Sequence, residues 1–108
     1  MNIKNLFLLF LGLTFLNATA FCQQKDKKFK VVIDAGHGGE DLGAISPHGR
    51  PEKEANLYLV KELEKVLRQK GFQVVLTRDR DVAVPLYDRP KVAHAVKADA
   101  FVSAGNSG

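Results

Sequence analysis

The sequence predicts an α/β domain built on a parallel sheet with crossover helices, about three strands and two helices in all. Three runs rich in Val, Ile, Leu and Phe, "FKVVIDAG", "FQVVLT" and "ADAFVS", have the length and composition of strands. The segments between them have helical length, and the links are short. Strands that alternate with helices run parallel, because each crossover is right-handed and needs a helix to bring the chain back.

The elements follow in order. "FKVVIDAG" is a continuous apolar run closed by glycine, the pattern of a strand buried on both faces. From Glu52 to Lys70 the apolar residues Leu57, Val60, Leu63, Val66 and Leu67 recur at helical spacing, and Glu64 and Arg68 are placed to pair across one turn. Pro51 suits a first helical position and Gly71 a left-handed cap. "FQVVLT" is the second strand and "RDRDVAVP" a polar connection. A second helix is expected over Leu86 to Lys97, with Pro90 tolerated in its first turn. "ADAFVS" is the third strand. In such sheets ligands gather beyond the carboxyl ends of the strands, so the loops after Asp34, Thr77 and Ser103 share one functional edge.

The totals bound the rest. A chain of 108 residues, 45% hydrophobic and 26% charged, is one globular domain at most. Residues 1–20 read as a secretory signal: a basic start, the apolar run "LFLLFLGLTFL" and a small-residue "ATA" before the cut. That run is too short to span a bilayer, so no stable membrane span is expected after cleavage, and the chain is expected to be exported to the periplasm or cell surface. Residues 21–29, with "KDKKFK", form a basic tether. The net charge of +4 is mild, and a single aromatic residue, Phe29, among the basic ones is too little to stack bases, so nucleic acid is not expected as a partner. Cys22 is the single cysteine, which excludes an intrachain disulfide; lipid attachment there competes with a plain free thiol, and Phe21 before it disfavours a lipid signal.

The chemistry concentrates in "GHGGEDLG", which is open to three interpretations. Glycines after a strand can cradle a phosphate, but the spacing lacks a phosphate-loop ending. The loop can be merely flexible, with its histidine facing water. Or His37 is a metal ligand, with flanking glycines letting the backbone bend sharply and keeping side chains clear of an ion. Glu52, at the helix start on the same sheet edge, is either a helix-dipole partner or a second ligand; Glu54, on the next turn, suits the dipole role.

Taken together, "VVIDAGHGGEDLGA", "PEKEANL", "GFQVVLTRDRD" and "LYDRPKVAHAVKADAFVS" resemble, in order and spacing, the N-terminal half of the zinc-dependent N-acetylmuramoyl-L-alanine amidases, over nearly all of Lys30 to Ser103. The resemblance implies a phosphorylase/hydrolase-like three-layer domain present only in part, over residues 30–108. It implies zinc as cofactor, with His37 and Glu52 as ligands and Lys53, Glu54 and Asn56 as non-ligand positions of the pattern. It further implies peptidoglycan as substrate, cut at the amide between N-acetylmuramic acid and L-alanine, and an activator protein as a possible partner. The family's third ligand, a histidine, falls on Gly105 of "SAGNSG", and its catalytic glutamate comes later in the pattern, so no catalytic residue is assigned. His48 is the candidate substitute ligand, although Pro47 and Gly49 give it a sufficient turn role; His94 is expected on the opposite edge. Arg78, Asp79 and Arg89 are expected in loop and helix-start salt bridges. A third strand with an open edge in so small a sheet is expected to belong to a longer domain. The rivals are a non-catalytic member that binds wall fragments or a partner, and an anion or nucleotide binder.

Overall fold

The computed structural model describes residues 26–105; the signal segment and Cys22 lie outside them. Strand β1 (Lys30–Ala35) leads through the glycine loop to helix α1 (Glu52–Gln69), then come β2 (Gln73–Leu76), a 3₁₀ turn (Leu86–Asp88), helix α2 (Arg89–Ala95) and β3 (Ala100–Ala104). The sheet order is β2-β1-β3, all parallel, so the first strand is the central one. Hence β1 carries the continuous apolar run: Val31 to Ala35 are all buried, with Val32, Ile33 and Ala35 at 0% exposure. The expected parallel α/β architecture is what forms.

Alternation along β1 separates its two faces. Val31, Ile33 and Ala35 pack with Val60 of α1 and Val74 of β2, backed by Leu57, Leu63, Leu67 and Phe72. Val66, read as part of that apolar stripe, instead points outward, 46% exposed. Val32 and Asp34 face the side where Arg89 opens α2. Phe29 and Phe72 close the lower end edge to face, with centroids 5.9 Å apart. Among the described residues no helix is long and apolar enough to cross a membrane.

Two boundaries differ from expectation. Pro51 is the N-cap, extended at φ −75° and ψ 144°, not the first helical residue, while the helix starts at Glu52 as expected. The glycine loop explains this: the Glu52 and Lys53 N–H groups donate to the carbonyls of Ala44 (2.8 Å) and Leu42 (3.2 Å), so the loop caps the helix that follows it. The second helix is shorter than Leu86 to Lys97, because a 3₁₀ turn precedes it and Val96 caps it. Pro90 falls in its first turn, as the geometry requires. Gly71 takes φ 91° after α1, and Glu64 pairs with Arg68 at 3.2 Å. Strand β3 lies at the sheet edge with Phe101 and Val102 exposed.

Candidate functional site

His37 leaves the end of β1 in the left-handed region, φ 61°, an unusual conformation for a side chain with a Cβ. It is held there on several sides. Gly38 and Asp41 exchange backbone hydrogen bonds of 2.9 and 3.1 Å, closing a tight turn behind the imidazole. Arg89 donates through Nη2 to the His37 carbonyl at 3.0 Å. Lys53 and Asp81 pin Gly39, two residues on: Lys53 Nζ donates to the Gly39 carbonyl (2.8 Å) and to Asp81 (2.7 Å), while Gly39 N–H donates to Asp81 (2.8 Å). These contacts hold the Asp81 carboxyl below its ordinary value, the hydrogen bond from Lys53 being the largest cause.

The imidazole stands between two carboxylates. Nδ1 lies 2.9 Å from Asp41 Oδ2 and Nε2 lies 3.2 Å from Glu52 Oε2. The hydrogen bond to His37 holds the exposed Asp41 carboxyl below its ordinary range. Glu52 Oε2 also accepts the Ala44 N–H at 3.0 Å. The two residues singled out as ligands in the sequence are thus neighbours, and Glu52 crosses to the loop instead of merely complementing the helix dipole. Glu54 is exposed.

The other candidates distribute differently. His48 is exposed at the tip of a turn that Ser46 closes with Gly49 and Arg50. Among the described residues no group of three His, Cys, Asp or Glu side chains is arranged to share an ion, so His48 is not gathered with the pair. His94 is exposed near the amino edge, where Val96 and Asp99 meet Lys30. Gly105 lines the same cavity of about 600 Å³ as Gly36, His37, Asp41, Leu86 and Arg89. A Cβ built at Gly105 meets nothing closer than 3.5 Å, but the backbone there has φ 155°, a conformation that residues with a Cβ rarely adopt.

Of the expected salt bridges, those of Asp79 and Arg89 form, and Arg78 needs correction. Asp79 lies on the surface, 3.9 Å from Arg80. Arg78 is buried at 4% exposure, and its guanidinium donates to the carbonyls of Ala35, Gly36, Lys53 and Arg80. Burial pushes its pKa down, and the nearby Arg89 charge pushes the same way. Arg89 does form an ion pair, 2.7 Å from Asp34 Oδ1, but a buried one inside the protein. Asp34 also accepts from Thr77 and Ser103, each at 2.7 Å, so one carboxylate ties all three strand ends together. Burial raises its pKa, but the hydrogen bonds from Thr77, Ser103 and Arg89 and the Arg89 charge outweigh that and leave it below the ordinary 3.8.

Asn56, one turn along α1 from Glu52, donates to the Gly36 carbonyl at 3.2 Å. The sequence reading passed over Asp41 and the Asp34–Arg89 pair. Asp41 sits four residues after His37 in a loop, where spacing says nothing of orientation. Asp34 did leave a sign: a carboxylate ending a strand buried on both faces must find a cation or donors.

Gly43 gives the site a direct test. It takes φ 68°, and a Cβ there would lie 2.6 Å from His37 Cδ2 and 2.8 Å from Glu52 Oε2. Gly43→Ala is therefore expected to wedge the pair apart and, if the pair holds a divalent cation, to weaken its binding by at least about tenfold, the scale of other perturbations around a ligand. Equilibrium metal titration checks it, with circular dichroism confirming that the sheet is retained.

Fold and site together define a parallel α/β domain with a histidine–carboxylate pair at the carboxyl edge of its central strand. The N-acetylmuramoyl-L-alanine amidase family model matches residues 31–104, and the chain belongs to that family. It is 47% identical over 73 residues to the N-acetylmuramoyl-L-alanine amidase AmiA of Escherichia coli (strain K12), an alignment covering 68% of this chain and 25% of that protein. It superposes on the amidase AmiC2 of Nostoc punctiforme with a TM-score of 0.70 at 47% identity, covering 73% of this chain and 44% of the other. The catalytic domain of CwlV from Paenibacillus polymyxa var. colistinus gives a TM-score of 0.67 at 44% identity, with 74% and 47% covered. The chain thus spans about a quarter of the curated relative and under half of the solved ones.

Proposed function

We propose that this chain is the N-terminal part of a zinc-dependent peptidoglycan amidase domain, with His37 and Glu52 as metal ligands. Its substrate is the amide joining N-acetylmuramic acid to L-alanine. One observation carries the metal assignment: a single imidazole has a carboxylate oxygen against each of its two nitrogens. A neutral imidazole has one N–H and one lone pair. With Asp41 on the N–H at Nδ1, what joins Nε2 to Glu52 Oε2 is either a proton, as on an imidazolium, or a metal ion held by both. The spacing agrees, since two ligands about 2.0–2.1 Å from a tetrahedral zinc lie roughly 3.3 Å apart, against 3.2 Å here.

Zinc held by these residues would supply a Lewis acid for the scissile carbonyl and lower the pKa of a bound water to about 7. The chain's own residues prepare the place. Asp41 orients the imidazole and fixes its tautomer, the role a carboxylate plays behind many ligating histidines. Glu52 brings negative charge from the first turn of α1. Gly36 and Gly105 leave the adjoining cavity open beside His37, room for a muramyl peptide to lay its amide near the pair. Export through residues 1–20 and a basic tether over 21–29 would place the domain at the periplasm or cell surface, where peptidoglycan is, and an activator protein is compatible with that place.

Gly105 offers no donor where the family pattern has its third ligand, and this favours a second reading: a non-catalytic member that binds wall fragments or a partner through the same edge. Metal titration separates the two. A zinc-dependent amidase module should retain about one zinc per chain at micromolar metal, and Gly105→His, which puts an imidazole at the family's third-ligand position, should tighten binding by at least about tenfold by adding a ligand. No retained zinc in either protein, together with sedimentation on insoluble peptidoglycan, would establish the non-catalytic reading.

A further inference from the structure

We propose that Arg89 is a positioning residue for His37: anchored by Asp34, it holds the metal-binding loop in its left-handed turn and thereby sets metal affinity. The proposal rests on the metal assignment of His37. Arg89 comes from α2, on the far side of the sheet from α1, yet every nitrogen of its guanidinium is directed at the end of β1 and the segments beside it. Nε donates to the Val84 carbonyl (3.2 Å), Nη1 to Asp34 Oδ1 and the Ala35 carbonyl (both 2.7 Å), and Nη2 to the His37 carbonyl (3.0 Å). The side chain is only 7% exposed, so its contacts are internal and its engaged nitrogens leave little for a bound substrate.

The geometry makes this more than a stabilising ion pair. Asp34 is fixed by Thr77 of the β2 exit and Ser103 of β3, so Arg89 is referenced to all three strand ends. The guanidinium fork then transfers that rigid reference to one flexible place, the carbonyl of the residue whose imidazole faces Glu52. A left-handed φ of 61° at a non-glycine residue is strained and persists only where neighbours over-determine it. Asp41 fixes the ring of His37 and Arg89 fixes its backbone; losing either lets Nε2 drift from Glu52. Lysine cannot do the same work. It keeps the charge and can reach Asp34, but it has no planar fork to hold the carboxylate and the His37 carbonyl together.

Arg89→Lys in the full chain tests this. Zinc affinity is measured by competition with a chromophoric chelator, well below the melting temperature, beside Val60→Ala, which loosens the α1 core two turns from Glu52. Arg89→Lys is expected to weaken zinc binding by at least about tenfold, the range seen for residues that orient metal ligands. Val60→Ala is expected to lower the melting temperature yet change affinity by no more than about twofold, because its apolar side chain makes no hydrogen bond to the His37 loop or to Asp34. Equal affinities in Arg89→Lys and wild type, or a loss matched by Val60→Ala at equal destabilisation, would overturn the proposal.

If wild type binds no zinc, the metal assignment fails separately, and NMR of the metal-free proteins decides about Arg89. Backbone shifts of His37 that leave the left-handed region in Arg89→Lys support the positioning role, and unchanged shifts overturn it. Should Arg89→Lys not fold, wild type in sub-denaturing urea carries the test. Loss of slow exchange at the Arg89 Nη protons in step with zinc affinity, ahead of global unfolding, supports the role; affinity that outlasts it refutes it.

Discussion

Replacing Asp34 by alanine is expected to remove about 3–5 kcal/mol of folding stability, the usual cost of breaking a buried ion pair from one side. The variant leaves Arg89 without its counter-charge at 7% exposure and leaves the Thr77 and Ser103 hydroxyls without their acceptor. A domain of this size has roughly 4–12 kcal/mol in all, so urea denaturation should find most or all of the transition gone at room temperature. Asp34→Asn should be milder, because it retains a carbonyl acceptor of the same shape. The two also differ in pH dependence. The folded-state pKa of Asp34 lies below 3.8, so its contribution is fully present above that value and is lost as the pH falls from there through the folded value. Asp34→Asn should therefore flatten the acid limb of the stability curve below about pH 4 while shifting the plateau at neutral pH. A variant curve parallel to wild type through the acid limb would mean that the carboxylate is not coupled to folding as its contacts indicate.

The second large effect is expected at the proposed metal pair, His37 and Glu52. His37→Ala and Glu52→Gln should each weaken zinc binding by more than about a hundredfold, beyond the 10- to 100-fold typical of residues that merely orient ligands. Glu52→Gln is the more telling change, since it keeps the shape and the Ala44 contact and removes only the negative charge. Asp41→Asn should cost less, within about 10- to 100-fold, because the amide oxygen still accepts from Nδ1. Chelator competition reads all three, and the expected order is that His37→Ala and Glu52→Gln fall well below Asp41→Asn. An Asp41→Asn defect as large as that of Glu52→Gln would show that Asp41 is itself a ligand.

Much of this arrangement was legible before any coordinates. The apolar run Val31 to Ile33, the stripe Leu57, Val60, Leu63 and Leu67, and the glycines at 36, 38 and 39 encode strand, helix and sharp turn through near neighbours in the chain. Parallel topology then follows from handedness, and it delivers the loops after Asp34, Thr77 and Ser103 to one edge. His37 and Glu52 were readable for that reason: each sits at the end of a well-marked element on a predictable side. Pro51 was misplaced by one residue, because the loop at Leu42 and Ala44, rather than the helix's own sequence, supplies the first acceptors.

The sequence by itself determined which segments become strands and helices, the order in which they alternate, and the edge where a histidine and a glutamate would meet. Only the tertiary structure decided that Asp41 backs the imidazole, that Arg78 gathers carbonyls instead of an acid, and that Arg89 reaches Asp34 across 55 positions. The reason is physical. Periodicity is imposed by backbone geometry acting over a few residues, whereas the choice of partner for a buried charge depends on sheet register and helix placement, which exist only once the whole domain has closed.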